Sequence, residues 1–297
     1  MIQEAIAKIA ARRDLEKSEA HGAMNEIMSG QATESQVAGF LVGLRMKGET
    51  AEEIAGCAQA MREKATRITT KHKDVIDTCG TGGDGSGTFN ISTTAAIIAS
   101  AAGVPVAKHG NRAVSSACGS ADVLKALGVN IELNPEQVSW VLDEVGISFL
   151  HAPMLHSAMK YAAPVRKQLG VRTVFNILGP LTNPAGAKRQ ILGVFSPELT
   201  DVMAAVLRDL GSEHALVVHG GGGLDELSTL GSSTISELKD GKVKSYSFDS
   251  SSLGFGRARQ DEIQGGDMST NADIIRRILD GQDGAPREIA LLNAGAA

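Results

Sequence analysis

Aromatic side chains are scarce in this chain of 297 residues: one Trp, two Tyr and seven Phe make up 3% of it. Packing in the first 70 residues is therefore expected to rest on Leu, Ile and Ala. Cysteine is also scarce. Cys57, Cys79 and Cys118 are widely spaced and odd in number. They give neither a disulfide framework nor a Cys-x-x-Cys metal pair, and point to a reducing, cytoplasmic setting. Positive charge is not in excess: a formal net charge of −5 argues against a broad nucleic-acid footprint, although local basic clusters still suit small anions. The longest apolar run, 95–107, is broken by Gly103 and Pro105 and is too short for a membrane span. The amino terminus alternates charge with apolar residues and does not read as a signal peptide. No Ser/His/Asp or Cys/His arrangement stands out. With 42% hydrophobic and 21% charged residues, the composition is that of a globular protein with one large or two modest domains.

Periodicity divides the chain in two. Residues 1–70 read as about four helices. Ile2, Ile6 and Ile9 share one helical face, and Val37, Phe40, Leu41 and Leu44 follow the helical spacing after a Thr33–Gln36 capping box. Gly48 reads as a stop, and Thr50–Glu53 as a second box before Ile54, Cys57 and Met61. From 71 onward strands and helices alternate: strand Val75-Ile76, helix from Thr94, strand Val104–Ala107, helices from Ser120 and Pro135, strand Ser148–Leu150, strand Gln190–Phe195, helix Pro197–Leu210 and strand Ala215–His219. Asp240-Gly241 between two alternating runs predicts a hairpin. The expected fold is α/β: a small amino-terminal helical bundle, then a domain over 71–297 with a mostly parallel sheet and helices on both faces. A helical segment near 153–180 is expected to cross back to the bundle and leave a cleft between two lobes.

Chemistry concentrates in Asp77–Thr93, which holds five glycines and a run of hydroxyl side chains between a strand and a helix. Glycine lets a bulky anion approach the backbone, and exposed N–H groups attract phosphate. Gly80-x-Gly82-x-x-Gly85 matches a dinucleotide fingerprint in form only. The expected helix starts well after Gly85, and the next strand ends in Lys108-His109 rather than an acidic residue. A Walker loop would need Gly-Lys-Ser/Thr, which is absent. The stretch 108–116 follows the second strand with Lys108, Arg112, Ser115 and Ser116, all suited to phosphate. Read alone, it is equally a solvated basic turn. Asp225-Glu226 in a glycine-rich loop suits Mg2+, although a lone Asp-Glu pair reads first as an exposed acidic turn. Arg166 suits two-pronged binding of a carboxylate, and alone is equally a surface arginine.

Together, Asp77–Thr93, 108–116, Arg166, Asn176–Pro184 and Asp225-Glu226 resemble the anthranilate phosphoribosyltransferases of tryptophan biosynthesis. The resemblance implies a cytoplasmic enzyme that joins anthranilate to phosphoribosyl pyrophosphate, a homodimer formed through the helical domains, and Mg2+ as two ions. It implies that Gly80, Gly83, Asp84, Thr88, Asn90, Ile91, Ser92 and Thr93 hold phosphoribosyl pyrophosphate. Lys108, His109, Gly110, Asn111, Arg112, Ala113, Val114, Ser115, Ser116 and Ser120 would wrap the same substrate. Gly80, Asn111 and Arg166 would meet anthranilate, and Ser92, Asp225 and Glu226 would meet the metal. No nucleic acid or membrane partner is implied. Gly221-Gly222 departs from a more polar pair usual before the acidic motif, and family members usually continue for one or two helices past a position equivalent to Ala297. The glycine loop and the 108–112 stretch, each alone, resemble looser forms in pyrimidine nucleoside phosphorylases, and the non-enzyme alternative is a nucleic-acid-binding relative of this fold that has lost catalysis. A phosphorylase would need phosphate and no metal pair. A nucleic-acid binder would be basic and lack the intact glycine loop.

Overall fold

The computed structural model describes residues 1–112 and 117–297. Four helices open the chain: α1 (Ile2–Ala10), α2 (Lys17–Met28), α3 (Glu34–Lys47) and α4 (Ala51–Lys64). Both expected capping boxes form, so the first orphan amides of α3 and α4 are satisfied locally. Gly48 ends α3 at φ 90°, a conformation open to glycine. Phe40, Leu41 and Leu44 of α3 and Ile54 and Cys57 of α4 are buried against one another and against Met24 and Ile27 of α2.

The second box has a further task. Glu53 is fully buried; its carboxylate accepts the N–H groups of Leu15 and Thr50 at 2.9 Å each, and Lys47 Nζ at 2.9 Å. Lys47, itself almost buried, also reaches Asp14 at 2.7 Å. Glu53→Ala would strand two amides and take from Lys47 its buried counter-charge, leaving it Asp14 and the Gly48 carbonyl. It is expected to destabilise the protein by about 3–5 kcal/mol, read as a lower urea midpoint at constant m value. An unchanged midpoint would show that the pair contributes nothing net.

The remaining elements are β1 (Ile76–Gly80), α5 (Ile91–Ala101), β2 (Val106–Gly110), α6 (Ser120–Ala126), α7 (Pro135–Val145), β3 (Ile147–His151), α8 (Ala152–Leu155), α9 (Ala163–Leu169), α10 (Phe175–Leu178), β4 (Arg189–Gly193), α11 (Leu199–Asp209), β5 (His214–His219), β6 (Ser233–Lys239), β7 (Lys242–Phe248), α12 (Met268–Leu279) and α13 (Ala285–Ala296). The strands form one sheet in the order β3-β2-β1-β4-β5-β6-β7. The pairs from β3 to β5 are parallel, and β6 and β7 add an antiparallel edge. The hairpin turns at Asp240 and Gly241, both at positive φ. Helices cover both faces. Leu192, Val217 and Leu238 join Met203 and Leu207 of α11 on one; on the other, Ile191 and Val218 meet Leu292 of α13, and Ile76 and Val106 meet Ala96 and Ala99 of α5.

Several boundaries differ from expectation. β1 does not stop at Ile76 but runs through Asp77–Gly80, pairing with Gln190–Gly193 of β4. β2 starts two residues late and continues through Lys108–Gly110 beside Phe149–His151 of β3, so Lys108 lies within the strand rather than after it. Burial between neighbouring strands overrides the polar composition of both segments. α5 begins at Ile91, three residues early. The segment 153–181 is also less regular than expected. Pro153 and Pro164 each start a short helix, with a 3₁₀ turn over Ser157–Tyr161 between. It returns to the bundle, where Ala162, Val165, Phe175, Leu178 and Leu181 join the buried residues of α1–α4.

Candidate active site

From β1 the chain moves outward through β2 to β3, then returns to β4 on the other side of β1. The carboxyl ends of β1 and β4 thus flank the switch point of the sheet, the crevice where open α/β folds bind ligands. Gly80 and Gly193 are register partners there. A Cβ on Gly80 would fall on the Asp225 carboxylate, and one on Gly193 would fall on the Asp225 backbone carbonyl. Two glycines therefore let the acidic loop settle directly onto the strand ends.

The loop after β1 is held open as a cradle. Gly82, Gly83, Gly85 and Gly87 all have φ between 65° and 75°, a conformation costly for other residues. The Thr81 amide donates to Gly193 O at 2.9 Å, the Gly82 amide to Asp225 Oδ2 at 2.8 Å and the Ser86 amide to Asp84 Oδ1 at 3.1 Å. The amides of Gly83, Asp84, Gly85, Gly87 and Thr88 find no acceptor among the described residues. Successive unclaimed N–H groups in such a turn make an anion-binding concavity.

Next to it stands an acidic cluster with one buried cation. Glu226 Oε1 accepts the Ser92 amide at 3.1 Å, in the first turn of α5, whose Asn90 offers no side-chain cap. The position favours negative charge by the helix dipole. Asp225 accepts Gly82 N–H, and its own amide reaches Asp84 Oδ2 at 3.3 Å. Desolvation, then repulsion by Glu226 and Asp84, holds Asp225 well above the usual carboxylate range. Desolvation lifts Glu226 to about 7, opposed by Lys108. Lys108, 3% exposed, leans across β1 to donate to Thr78 O and to Ser92 Oγ at 3.3 Å. Desolvation pulls its pKa down, opposed chiefly by buried Asp77. Asp77 is tied in by the His109 amide at 3.1 Å and Asn183 Nδ2 at 2.7 Å.

The donors Asp225, Glu226 and Ser92 are all oxygen, and the two carboxylates repel each other. That chemistry fits Mg2+, which prefers oxygen and needs few protein ligands. Among the described residues no three of His, Cys, Asp and Glu form a metal cage.

Ser120 Oγ donates to Asn111 O at 3.2 Å, and Arg112 lies 4.0 Å from Glu132. Asn90 Nδ2 donates to Cys118 O at 3.1 Å and Asn90 Oδ1 accepts from Asn271, so its side chain is committed to protein contacts. Ile91 and Thr93 are buried; Ile91 packs with Phe89 and Leu224 and offers a ligand no more than its backbone. Ala113, Val114, Ser115 and Ser116 lie outside the described residues. Arg166 on α9 is half-buried, its guanidinium 5.1 Å from the Phe175 ring centre, and no carboxylate pairs with it among the described residues.

Models described as "Glycosyl transferase family, helical bundle domain" and "Glycosyl transferase family, a/b domain" match residues 3–65 and 72–297. An anthranilate phosphoribosyltransferase of Thermoanaerobacter sp. (strain X514) is 56% identical over 297 residues, covering 100% of this chain and 88% of the relative. The chain belongs to the anthranilate phosphoribosyltransferase family. A homologue from Methanocorpusculum labreanum is 54% identical over 298 residues, covering 100% of this chain and 87% of its own length. The crystal structure of anthranilate phosphoribosyltransferase from Thermus thermophilus superposes with a TM-score of 0.93 at 46% identity, over 98% of this chain and 87% of that one. The Saccharomyces cerevisiae enzyme in complex with PRPP and Mg does so at 0.90 and 30% identity, over 99% and 87%.

In this member of the family, sequence reasoning missed four neighbours of the site. The ring of His156 lies 5.1 Å from that of His109. Burial lowers the two histidines to about 4 and about 3, so both are neutral. Arg172 donates to Gly83 O, and Gln260 and Gln264 donate to Ser86 O and Gly87 O at 2.9 and 2.7 Å. Only the lone guanidinium in Gly170-Val-Arg-Thr173 was a visible signal. The glutamines lie more than 170 positions from their partners and gave none.

Proposed function

We propose that the chain transfers the phosphoribosyl group of 5-phosphoribosyl 1-pyrophosphate to the amine of anthranilate, giving N-(5-phosphoribosyl)anthranilate and pyrophosphate. The observation that carries this reading is the set of amides on Gly83, Asp84, Gly85, Gly87 and Thr88 that find no acceptor among the described residues, beside a buried lysine and two repelling carboxylates at the switch point. It is the complement of a pyrophosphate with its metal. The family resemblance supports the roles. Gly80, Gly83, Asp84, Thr88, the 90–93 backbone, Lys108–Arg112, the 113–116 stretch and Ser120 hold phosphoribosyl pyrophosphate. Asp225, Glu226 and Ser92 hold Mg2+, as two ions. Residues 1–70 with the segment near 153–180 form one lobe, the rest of 71–297 the other, and the site lies in the cleft between them.

Cleavage at C1′ leaves an oxocarbenium-like ribosyl centre and builds charge on the departing pyrophosphate. Lys108 and the loop amides are aimed at that charge. Bound Mg2+ supplies Lewis-acid neutralisation and a template. The amine becomes strongly acidic only after attack, so no strong base is demanded, and the neutral His109 and His156 add no charge beside it. The half-buried Arg166 guanidinium takes the anthranilate carboxylate in two-pronged fashion, while Gly80 and Asn111 line the same subsite. Holding amine and C1′ in line supplies much of the remaining rate.

The test is the loss of anthranilate fluorescence on adding phosphoribosyl pyrophosphate and Mg2+. Turnover is expected. Arg166→Ala should raise the anthranilate KM by about tenfold or more and leave the phosphoribosyl pyrophosphate KM within about twofold. No turnover by the unaltered protein, or turnover only with a nucleoside and phosphate, would overturn the assignment. We also propose a homodimer through the helical lobe, supported by exposed Met46 and Tyr161. Sedimentation at a monomer's mass would contradict it. A cytoplasmic site of action is supported by three widely spaced, buried cysteines, and detection of the protein outside the cytoplasm would contradict it.

A further inference from the structure

The unclaimed amides of the glycine loop need a cause. Every peptide bond in the described structure is trans, so each C=O points opposite to the N–H of the next residue. Glycine on one side of a peptide lets that plane flip at little cost. Left alone, the loop 82–88 has no preference for turning its amides inward. Three side chains from elsewhere in the chain supply one. Arg172 donates to Gly83 O, which turns the Asp84 amide the other way. Gln260 Nε2 donates to Ser86 O at 2.9 Å, which turns away the Gly87 amide. Gln264 Nε2 donates to Gly87 O at 2.7 Å, alongside the Gly265 amide at 2.9 Å, which turns away that of Thr88. These three amides are among those with no acceptor.

Arg172 is itself well held. Its guanidinium lies 4.5 Å from the Phe195 ring centre, and the Phe195 amide donates to Thr81 Oγ1 at 3.2 Å, at the start of the same loop. It sits six residues after Arg166, just past Gly170, which ends α9 in a left-handed turn. The segment that carries the acceptor-side arginine therefore also grips the phosphate loop.

We propose that Arg172 is a positioning residue for the pyrophosphate subsite, and that Gln260 and Gln264 are its counterparts at the far end of the loop. None of the three touches substrate. Each presets a peptide plane so that its amide is ready for an anion. The inference rests on the reading of this loop as the pyrophosphate site.

The experiment measures steady-state kinetics and calorimetric binding of phosphoribosyl pyrophosphate with Mg2+ for the unaltered protein, Arg172→Met, Arg172→Lys and Gln264→Leu. Methionine keeps an apolar stem over Phe195 without donors, and lysine restores one donor. Arg172→Met and Gln264→Leu are each expected to raise the KM and Kd for phosphoribosyl pyrophosphate by about tenfold. The anthranilate KM should stay within about twofold, and Arg172→Lys should recover most of the loss. A merely structural role would lower the active fraction, seen in kcat, and leave both KM values in place; that result overturns the inference. So does unchanged binding by both donor-free variants. If the unaltered protein binds no phosphoribosyl pyrophosphate, it is the functional reading that fails, a result distinct from either.

Discussion

The double variant Asp225→Asn, Glu226→Gln is expected to lose roughly a thousandfold in kcat, the scale of removing one preorganised electrostatic element from a transition state. It should also lose its dependence on Mg2+ concentration. Both carboxylates are held above their ordinary range. Desolvation raises both, with repulsion by Glu226 and Asp84 added at Asp225 and repulsion by Asp84 at Glu226, and Lys108 supplies the charge that opposes the shift of Glu226. Neutral amides of the same shape relieve that crowding and still accept the Gly82 and Ser92 amides that the acids accept now. The melting temperature in metal-free buffer should therefore hold or rise while activity collapses. This split separates a site from a structural element, because stability is given up where function needs charge. Unchanged kinetics would remove the metal role. A lower melting temperature would show that the acids serve the fold.

Gly193→Ala tests the other half of the site, its steric assembly. The added methyl would fall on the backbone carbonyl of Asp225. Because that obstacle is main chain, it cannot rotate aside, so the acidic loop must lift from the strand ends. A displacement of about 1 Å costs on the order of a hundredfold in rate, and overpacking costs about 1–3 kcal/mol in stability. Both effects are expected in Gly193→Ala and neither in Gly295→Ala, where nothing lies within 4 Å of the added atom. A Gly193→Ala protein with ordinary kcat would mean that the Asp225 position is not critical.

These effects show why part of the site was legible in the sequence and part was not. The Thr33 and Thr50 capping boxes, the Asn134-Pro135 helix start and the Asp240-Gly241 turn are chemistry between residues at most a few positions apart, so spacing alone reveals them. The glycine density of 80–87 revealed the open turn after β1 for the same reason. The strand boundaries were misread because Asp77, Thr78 and Lys108 are polar residues whose burial is imposed by β2, β3 and β4, none of them local. The capping of α5 by Glu226 joins residues 134 positions apart, and the grip of Arg172 on Gly83 spans 89. No periodicity encodes such contacts. Asn90 and Ile91 were read as substrate contacts, yet their side chains are engaged with Cys118 and Asn271 and with the buried residues behind α5.

One measurement bears on all of this: a crystal structure of the protein soaked with phosphoribosyl pyrophosphate and Mg2+. The pyrophosphate should lie within about 2.7–3.2 Å of the Asp84, Gly87 and Thr88 amides, with a metal ion on Asp225 and Glu226. A sugar pyrophosphate bound away from residues 80–93 and 108–112, with those amides still unclaimed, would contradict the account.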